Sequence, residues 1–231
     1  QSPSDVAFDA RGRLYVADAG AGEIVLFDRY GQRTGAFGKS ALTSPISLAV
    51  GRDGKVYVVD AARKELLIFA RDHELIKTIS FTEKSPLAVS VGADQASDLS
   101  GDEALYVTCE TGVIKGTLEG VFERGYFNAG TKAGEFSGLA DVKTSQSAGS
   151  SSQKTPRLFL LDSLNKKVIA LDSFESSPTV AWKNTQAILP AGLTNDESHV
   201  YVTDALRHRV LVLNAQTGKL LSTLGRKGTS D

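Results

Sequence analysis

One short phrase recurs five times along the chain, and it constrains the fold more than any other feature. It reads Leu14-Tyr15-Val16-Ala17-Asp18, Val56-Tyr57-Val58-Val59-Asp60, Leu105-Tyr106-Val107-Thr108-Cys109, Leu158-Phe159-Leu160-Leu161-Asp162 and Val200-Tyr201-Val202-Thr203-Asp204. The aromatic positions 15, 57, 106, 159 and 201 lie 42, 49, 53 and 42 residues apart. Short strands repeating at a period in the forties have the spacing of propeller blades.

Each unit keeps one internal order. A turn containing Pro or Gly opens it (Pro3, Pro45, Pro86, Gly138, Pro190), and a short apolar strand such as Ile46-Ser47-Leu48-Ala49-Val50 follows. After a polar turn come the aromatic phrase, a third run such as Leu66-Leu67-Ile68-Phe69, and a looser outer run such as Leu75-Ile76-Lys77-Thr78-Ile79. β-Branched and aromatic enrichment between Gly, Asp and Asn favours strands over helices. The second and third runs are apolar on both alternating faces, so both faces must be covered. These patterns predict an all-β chain, a β-propeller of four-stranded antiparallel blades with five blades visible. The blades fall at about 3–40, 45–82, 86–130, 137–184 and 189–226 of a single domain, 1–231. Two stretches, 93–103 and 145–154, read as insertions between first and second strands, the second of low complexity.

Composition narrows the function. A net charge of -1, from 26 Lys+Arg and 27 Asp+Glu, argues against a general coat for nucleic acid or an anionic membrane. No run of about 18 apolar residues is present, so no helix is predicted to span a bilayer. A single cysteine excludes an intrachain disulfide and a Cys-rich zinc site. That is compatible with the cytosol and equally with a secreted protein.

Several residues invite a chemical reading. Asp18, Asp60, Asp162 and Asp204 each end a second strand, and their repetition points to turn stabilisation, a carboxylate accepting backbone N–H groups. His73, His199 and His208 fall in different units or on opposite ends, so they are expected to be surface residues without a shared metal. Cys109 closes an apolar strand with no base beside it and is expected to be a buried thiol.

The charges sort by end. Turns between strands two and three share one end of a propeller with the joins between blades; the remaining turns share the other. The first end gathers Arg63, Lys64, Lys166, Lys167, Arg207, His208 and Arg209, with Lys39, Lys132, Arg226 and Lys227, offset by Glu83, Glu110 and Glu135. The second gathers mainly acids, Asp9, Asp28, Asp53, Asp72 and Glu74 among them, interspersed with Arg11, Arg29, Arg52 and Arg71.

The phrase Ser2-Pro3-Ser4-Asp5-Val6-Ala7-Phe8-Asp9, with Gly12-Arg13-Leu14-Tyr15-Val16-Ala17-Asp18 and Ile24-Val25-Leu26-Phe27-Asp28, resembles an NHL repeat, as does 192–219. The resemblance spans essentially the whole chain and is weakest in units three and four. It implies a propeller that is usually six-bladed. Residues 224–231 read as the start of a further inter-blade linker, so the expectation is a fragment of a larger protein. The resemblance admits RNA binding on a basic face, although Tyr126 and Phe127 are the nearest aromatic candidates for base stacking. It also admits a metal-dependent lactonase-like hydrolase. First strands would supply the metal's oxygen ligands, and the aligned positions, Asp5, Ser47, Ala88, Ala140 and Gly192, hold one carboxylate. Related peptide-amidating lyases use histidine ligands and disulfides that do not match this sequence.

The reading that follows is a non-enzymatic interaction scaffold with no cofactor, no metal, no catalytic residue and no membrane partner. Its expected partner is another protein with an acidic surface, met by Arg63, Lys64, Lys166, Lys167, Arg207, His208 and Arg209. RNA is the alternative partner.

Overall fold

The computed structural model describes residues 2–93, 103–132, 134–144, 158–171 and 180–228. The two expected insertions fall largely outside them. The described chain is all-β: five four-stranded antiparallel sheets, each built from consecutive strands in sequence order. Blade 1 comprises β1 (Pro3–Phe8), β2 (Leu14–Asp18), β3 (Glu23–Phe27) and β4 (Arg33–Phe37). Blade 2 comprises β5 (Pro45–Val50), β6 (Val56–Asp60), β7 (Glu65–Phe69) and β8 (Leu75–Ser80). Blade 3 comprises β9 (Pro86–Ala93), β10 (Glu103–Cys109), β11 (Gly112–Gly116) and β12 (Phe122–Phe127). Blade 4 comprises β13 (Leu139–Thr144), β14 (Leu158–Asp162), β15 (Lys167–Leu171) and β16 (Val180–Asn184). Blade 5 comprises β17 (Pro190–Asn195), β18 (His199–Asp204), β19 (Arg209–Asn214) and β20 (Leu220–Leu224). The predicted propeller class and strand order hold in all five.

Contacts divide the chain into two compact units. One consists of 1–91, 105–109 and 114–124; the other of 92–104, 110–113 and 125–231. In the first, the alternation within β6 explains its continuous apolar phrase. Val56 and Val58 pack with Tyr15, Ala17 and Ile24 of blade 1. Tyr57 and Val59 point the other way and pack with Val89, Leu105 and Val107 of blade 3. A strand covered on both faces has no wet side to mark with polar residues. In the second unit, Phe159 and Leu161 of β14 pack with Leu193, Val200 and Val202 of blade 5. There Trp182 also donates its Nε1–H to the Ala215 carbonyl at 3.0 Å. Each fully buried Val or Leu contributes about 1.5–3 kcal/mol, so the faces between blades are the core.

Innermost strands open with a bulge. The register of β1 on β2 shifts between Pro3 and Asp5, that of β5 on β6 between Pro45 and Ser47, and that of β13 on β14 between Leu139 and Asp141. Proline suits the first residue of a strand because it has no N–H to give the ladder.

Candidate functional site: the turns after the second strands

In blades 1, 2, 4 and 5 the second strand ends in a carboxylate that ties chain segments together, whereas in blade 3 it ends in Cys109. Asp18 Oδ1 accepts the N–H groups of Gly20 and Ala21 in its own turn and that of Ser2 in the segment entering the blade. Asp60 accepts Arg63 N–H from its turn and Thr43 and Ser44 N–H from the incoming linker. Asp162 does the same with Asn165 and with Ser137 and Gly138. Asp204 accepts Ile188 and Leu189 N–H. The expected turn role holds for Asp18, Asp60 and Asp162, whereas the N–H groups on Asp204 come from the linker, a partner that the sequence pattern did not reveal. These bonds matter electrostatically. For Asp18 the Ser2 N–H is the foremost cause of a pKa below the ordinary carboxylate value. For Asp204 burial pushes upward, but the Leu189 N–H, the Arg209 guanidinium and the Ile188 N–H together outweigh it and lower the pKa.

Counting from that aspartate gives the turn a fixed geometry. The fourth residue on is Gly22, Lys64, Lys166 or His208, and all four are left-handed, with φ of 65°, 54°, 52° and 50°. The fifth residue on starts the third strand and turns inward: Glu23, Glu65, Lys167 and Arg209 have side chains only 17%, 14%, 6% and 21% exposed. Glycine adopts the left-handed region without penalty, whereas a side chain there costs about 1–2 kcal/mol. Three blades bear that cost with a large basic or titratable residue.

The geometry separates the seven predicted residues. Lys64, Lys166, Arg207 and His208 are exposed, and their side chains make no hydrogen bond or ion pair among the described residues. Arg63 is exposed but pairs with Glu65 at 2.6 Å. Lys167 is buried, and its Nζ donates to the Lys132 and Glu135 carbonyls at 3.2 and 2.6 Å and lies 3.7 Å from Asp162. Arg209 is half-buried, donating to Asp204 and to the Gln186 carbonyl. Lys167 and Arg209 therefore serve the linker, whereas Glu23 and Glu65 at the same position pair within their own blades. In the second unit the first strands of blades 4 and 5 pack beside each other in equivalent register, so Lys166 and Arg207–His208 emerge at one end. In the first unit Lys64 leaves blade 2 from the corresponding turn.

Other candidates resolve differently. Burial pushes the Cys109 thiol up to about 11, so it is no thiolate at neutral pH. His73, expected at the surface, is half-buried, its ring stacked on Phe37 with centroids 4.3 Å apart and 9° between planes. His199 and Tyr201 both contact Asp196, whose pKa is held at about 2 foremost by the Ser198 N–H. Tyr126 is held edge-on to Phe136 and donates to the Gly134 carbonyl, so it is no free stacking platform.

On the innermost strands, register corrects the alignment by one residue in blade 4. Asp141, not Ala140, stands at the position of Asp5 and Ser47. Both carboxylates serve the neighbouring blade's backbone. Asp5 accepts Ser47 Oγ–H and Leu48 N–H at 2.9 Å each, Ser47 Oγ accepts Val89 N–H, and Asp141 accepts Leu193 N–H. No group of three or more His, Cys, Asp or Glu able to hold a metal ion occurs among the described residues.

No family model matches the chain, and no curated protein matches it. By structure it is similar to virginiamycin B lyase from Staphylococcus aureus, with TM-score 0.67 and 12% identity over 97% of this chain and 70% of that one. It is similar to a chain of a nidogen/laminin complex, with TM-score 0.73 and 16% identity over 96% and 80%. A third likeness is to BBS1N in complex with ARL6DN, with TM-score 0.65 and 13% identity over 97% and 66%. At such identities the shared feature is the β-propeller fold.

Proposed function

We propose that the chain is a non-enzymatic, NHL-type interaction scaffold whose turns after the second strands meet an acidic surface on a protein partner. The observation that carries this reading is the left-handed position. Where blade 1 has Gly22, blades 2, 4 and 5 hold Lys64, Lys166 and His208, exposed and making no internal bond. Backbone strain retained for side chains that stabilise nothing internally is a mark of function. Asp60 and Asp162 brace the turns that carry Lys64 and Lys166 through the Arg63 and Asn165 N–H groups, which lowers the ordering cost of binding there. Two of the similar structures, the nidogen/laminin and BBS1N–ARL6DN complexes, are propellers seen with protein partners.

The test is charge reversal at the outward position. Lys64→Glu, and separately Lys166→Glu with Arg207→Glu, are compared with the unaltered chain for binding to an immobilised acidic peptide and to single-stranded RNA. The association rate for the peptide is expected to fall about tenfold at low salt while the melting temperature holds, because rim charges act mainly on encounter. Unchanged binding removes the site. RNA retained more tightly than peptide, with a steep salt dependence, replaces the protein reading with the nucleic-acid one.

A further inference from the structure

In the unit containing blades 1 and 2, the turns at the opposite end enclose a cleft of about 170 Å³. Arg11 and Arg13 enter it from the β1–β2 turn, Arg52 from the β5–β6 turn and Arg71 from the β7–β8 turn. Its two carboxylates are already engaged. Asp9 accepts the N–H groups of Arg11 and Arg13 and pairs with Arg13 Nε at 2.7 Å. Asp53 accepts Lys55 N–H and pairs with Lys55 Nζ at 3.0 Å. The side chains of Arg11 and Arg71 form no hydrogen bond or ion pair among the described residues, which leaves the cleft with surplus positive charge.

The local backbone holds the arginines in place. Gly54, at φ +87°, has no Cβ where one would lie 2.9 Å from Arg71 Cγ, so the arginine stem lies directly on the turn. Beside the cleft, the Arg13 guanidinium sits 5.6 Å from the centroid of the Tyr15 ring. Tyr15 is fully buried, and neither its hydroxyl nor the buried Nε2 of His73 has a hydrogen-bond partner. Buried polar atoms are rarely left so. His73 is moreover left-handed, at φ 72°, in the turn position where blade 1 has Gly31 at φ 80°.

We infer that this cleft binds a phosphate group of a small ligand. Guanidinium is a planar fork of N–H donors matched to phosphoryl oxygens, and several held by two blades recognise a compact multivalent anion. The rim argues against a polymer: Asp72 and Glu74 are exposed beside Arg71 and would repel an extended polyanion. The cleft is independent of the partner surface, since Lys64 leaves blade 2 from its other end.

The full chain is titrated by calorimetry with orthophosphate, glycerol phosphate and pyrophosphate, at ionic strength held constant with sodium chloride. Saturable one-to-one binding is expected that acetate does not reproduce. Orthophosphate bound as tightly as glycerol phosphate identifies free phosphate as the ligand, and tighter glycerol phosphate a monoester; either upholds the site. Arg11→Glu with Arg71→Glu is expected to weaken binding by about tenfold or more, and Arg11→Gln with Arg71→Gln by less. Melting temperatures in phosphate-free buffer should be unchanged, and Lys64→Glu should bind as the unaltered chain does. A non-saturable response, equal affinity in the Arg11→Glu, Arg71→Glu variant, or RNA bound more tightly than pyrophosphate through the same arginines would overturn the inference.

Discussion

Aspartate does opposite work at the two ends of blade 2. Asp60, fully buried at the end of β6, is occupied by three backbone N–H groups, and Lys64 in the turn that follows is left on the surface without an ion pair among the described residues. Asp53, exposed in the β5–β6 turn, pairs with a lysine side chain, and Arg52 and Arg71 converge on the cleft next to it. A carboxylate whose oxygens are taken up by backbone N–H groups keeps its negative charge but organises the turn, and here it leaves Lys64 without an ion-pair partner among the described residues. Asp53 instead cancels the charge of Lys55 while accepting the N–H of that same residue, and reaches no linker. A census of acidic and basic residues by end cannot tell these cases apart.

The sharpest way to break the comparison is to remove a backbone-binding carboxylate. Asp162→Ala strands N–H groups of Ser137, Gly138 and Asn165. It is expected to lower unfolding free energy by about 3 kcal/mol, since a buried donor left unsatisfied costs about 1–3 kcal/mol. Denaturant titration reads this directly, and a loss no larger than that of Asp53→Ala would void the distinction. Next in size is Lys167→Ala, which frees two linker carbonyls. It should cost about 2 kcal/mol, whereas Lys166→Ala, one residue earlier, should stay within about 0.5 kcal/mol.

Acid tests two of the backbone-bound carboxylates. The pKa values of Asp18 and Asp204 are lowered in the folded protein. For a depressed carboxylate, the associated stability is complete above the unfolded value of about 3.9 and is lost as pH falls through the folded pKa. Denaturation midpoints should therefore hold at neutral pH and drop below about pH 4, and Asp204→Asn should flatten that drop. An equally steep acid limb in Asp204→Asn would show that this carboxylate does not carry it.

Much of this was legible in the chain. The five-fold phrase placed every second strand, because a strand buried on both faces must be apolar throughout, and the prolines placed four of the first strands. Blade 4 was misread by one position because its Gly138 was matched to the prolines, whereas Leu139 is their true counterpart; register showed it, and Asp141 then falls beside Asp5. The left-handed position was also within reach, since aligning the blades on their aspartates sets Gly22 above Lys64, Lys166 and His208. The fate of Lys167 was not, because its partners are carbonyls of Lys132 and Glu135, and carbonyls have no sequence signature. Nor was the partial burial of His73, whose stacking partner Phe37 comes from another blade.

The smallest expected effect is the most discriminating. Replacing Lys64, Lys166 or His208 by Gly relieves a left-handed side chain but adds freedom to the unfolded chain. The net is expected to be a stabilisation of up to about 1 kcal/mol per site. If these residues are present for a partner, the Lys64→Gly and Lys166→Gly proteins should melt slightly higher and bind the acidic peptide more weakly, as strained functional positions do. If they merely fill a turn, the variants should melt higher with binding intact. Gly22→Lys in blade 1 is the mirror experiment. It should lower stability by about 1–2 kcal/mol, and more if the backbone cannot give way, because a Cβ at Gly22 would lie 3.0 Å from the Leu42 carbonyl oxygen. That crowding gives blade 1 a packing reason to keep glycine, independent of any partner.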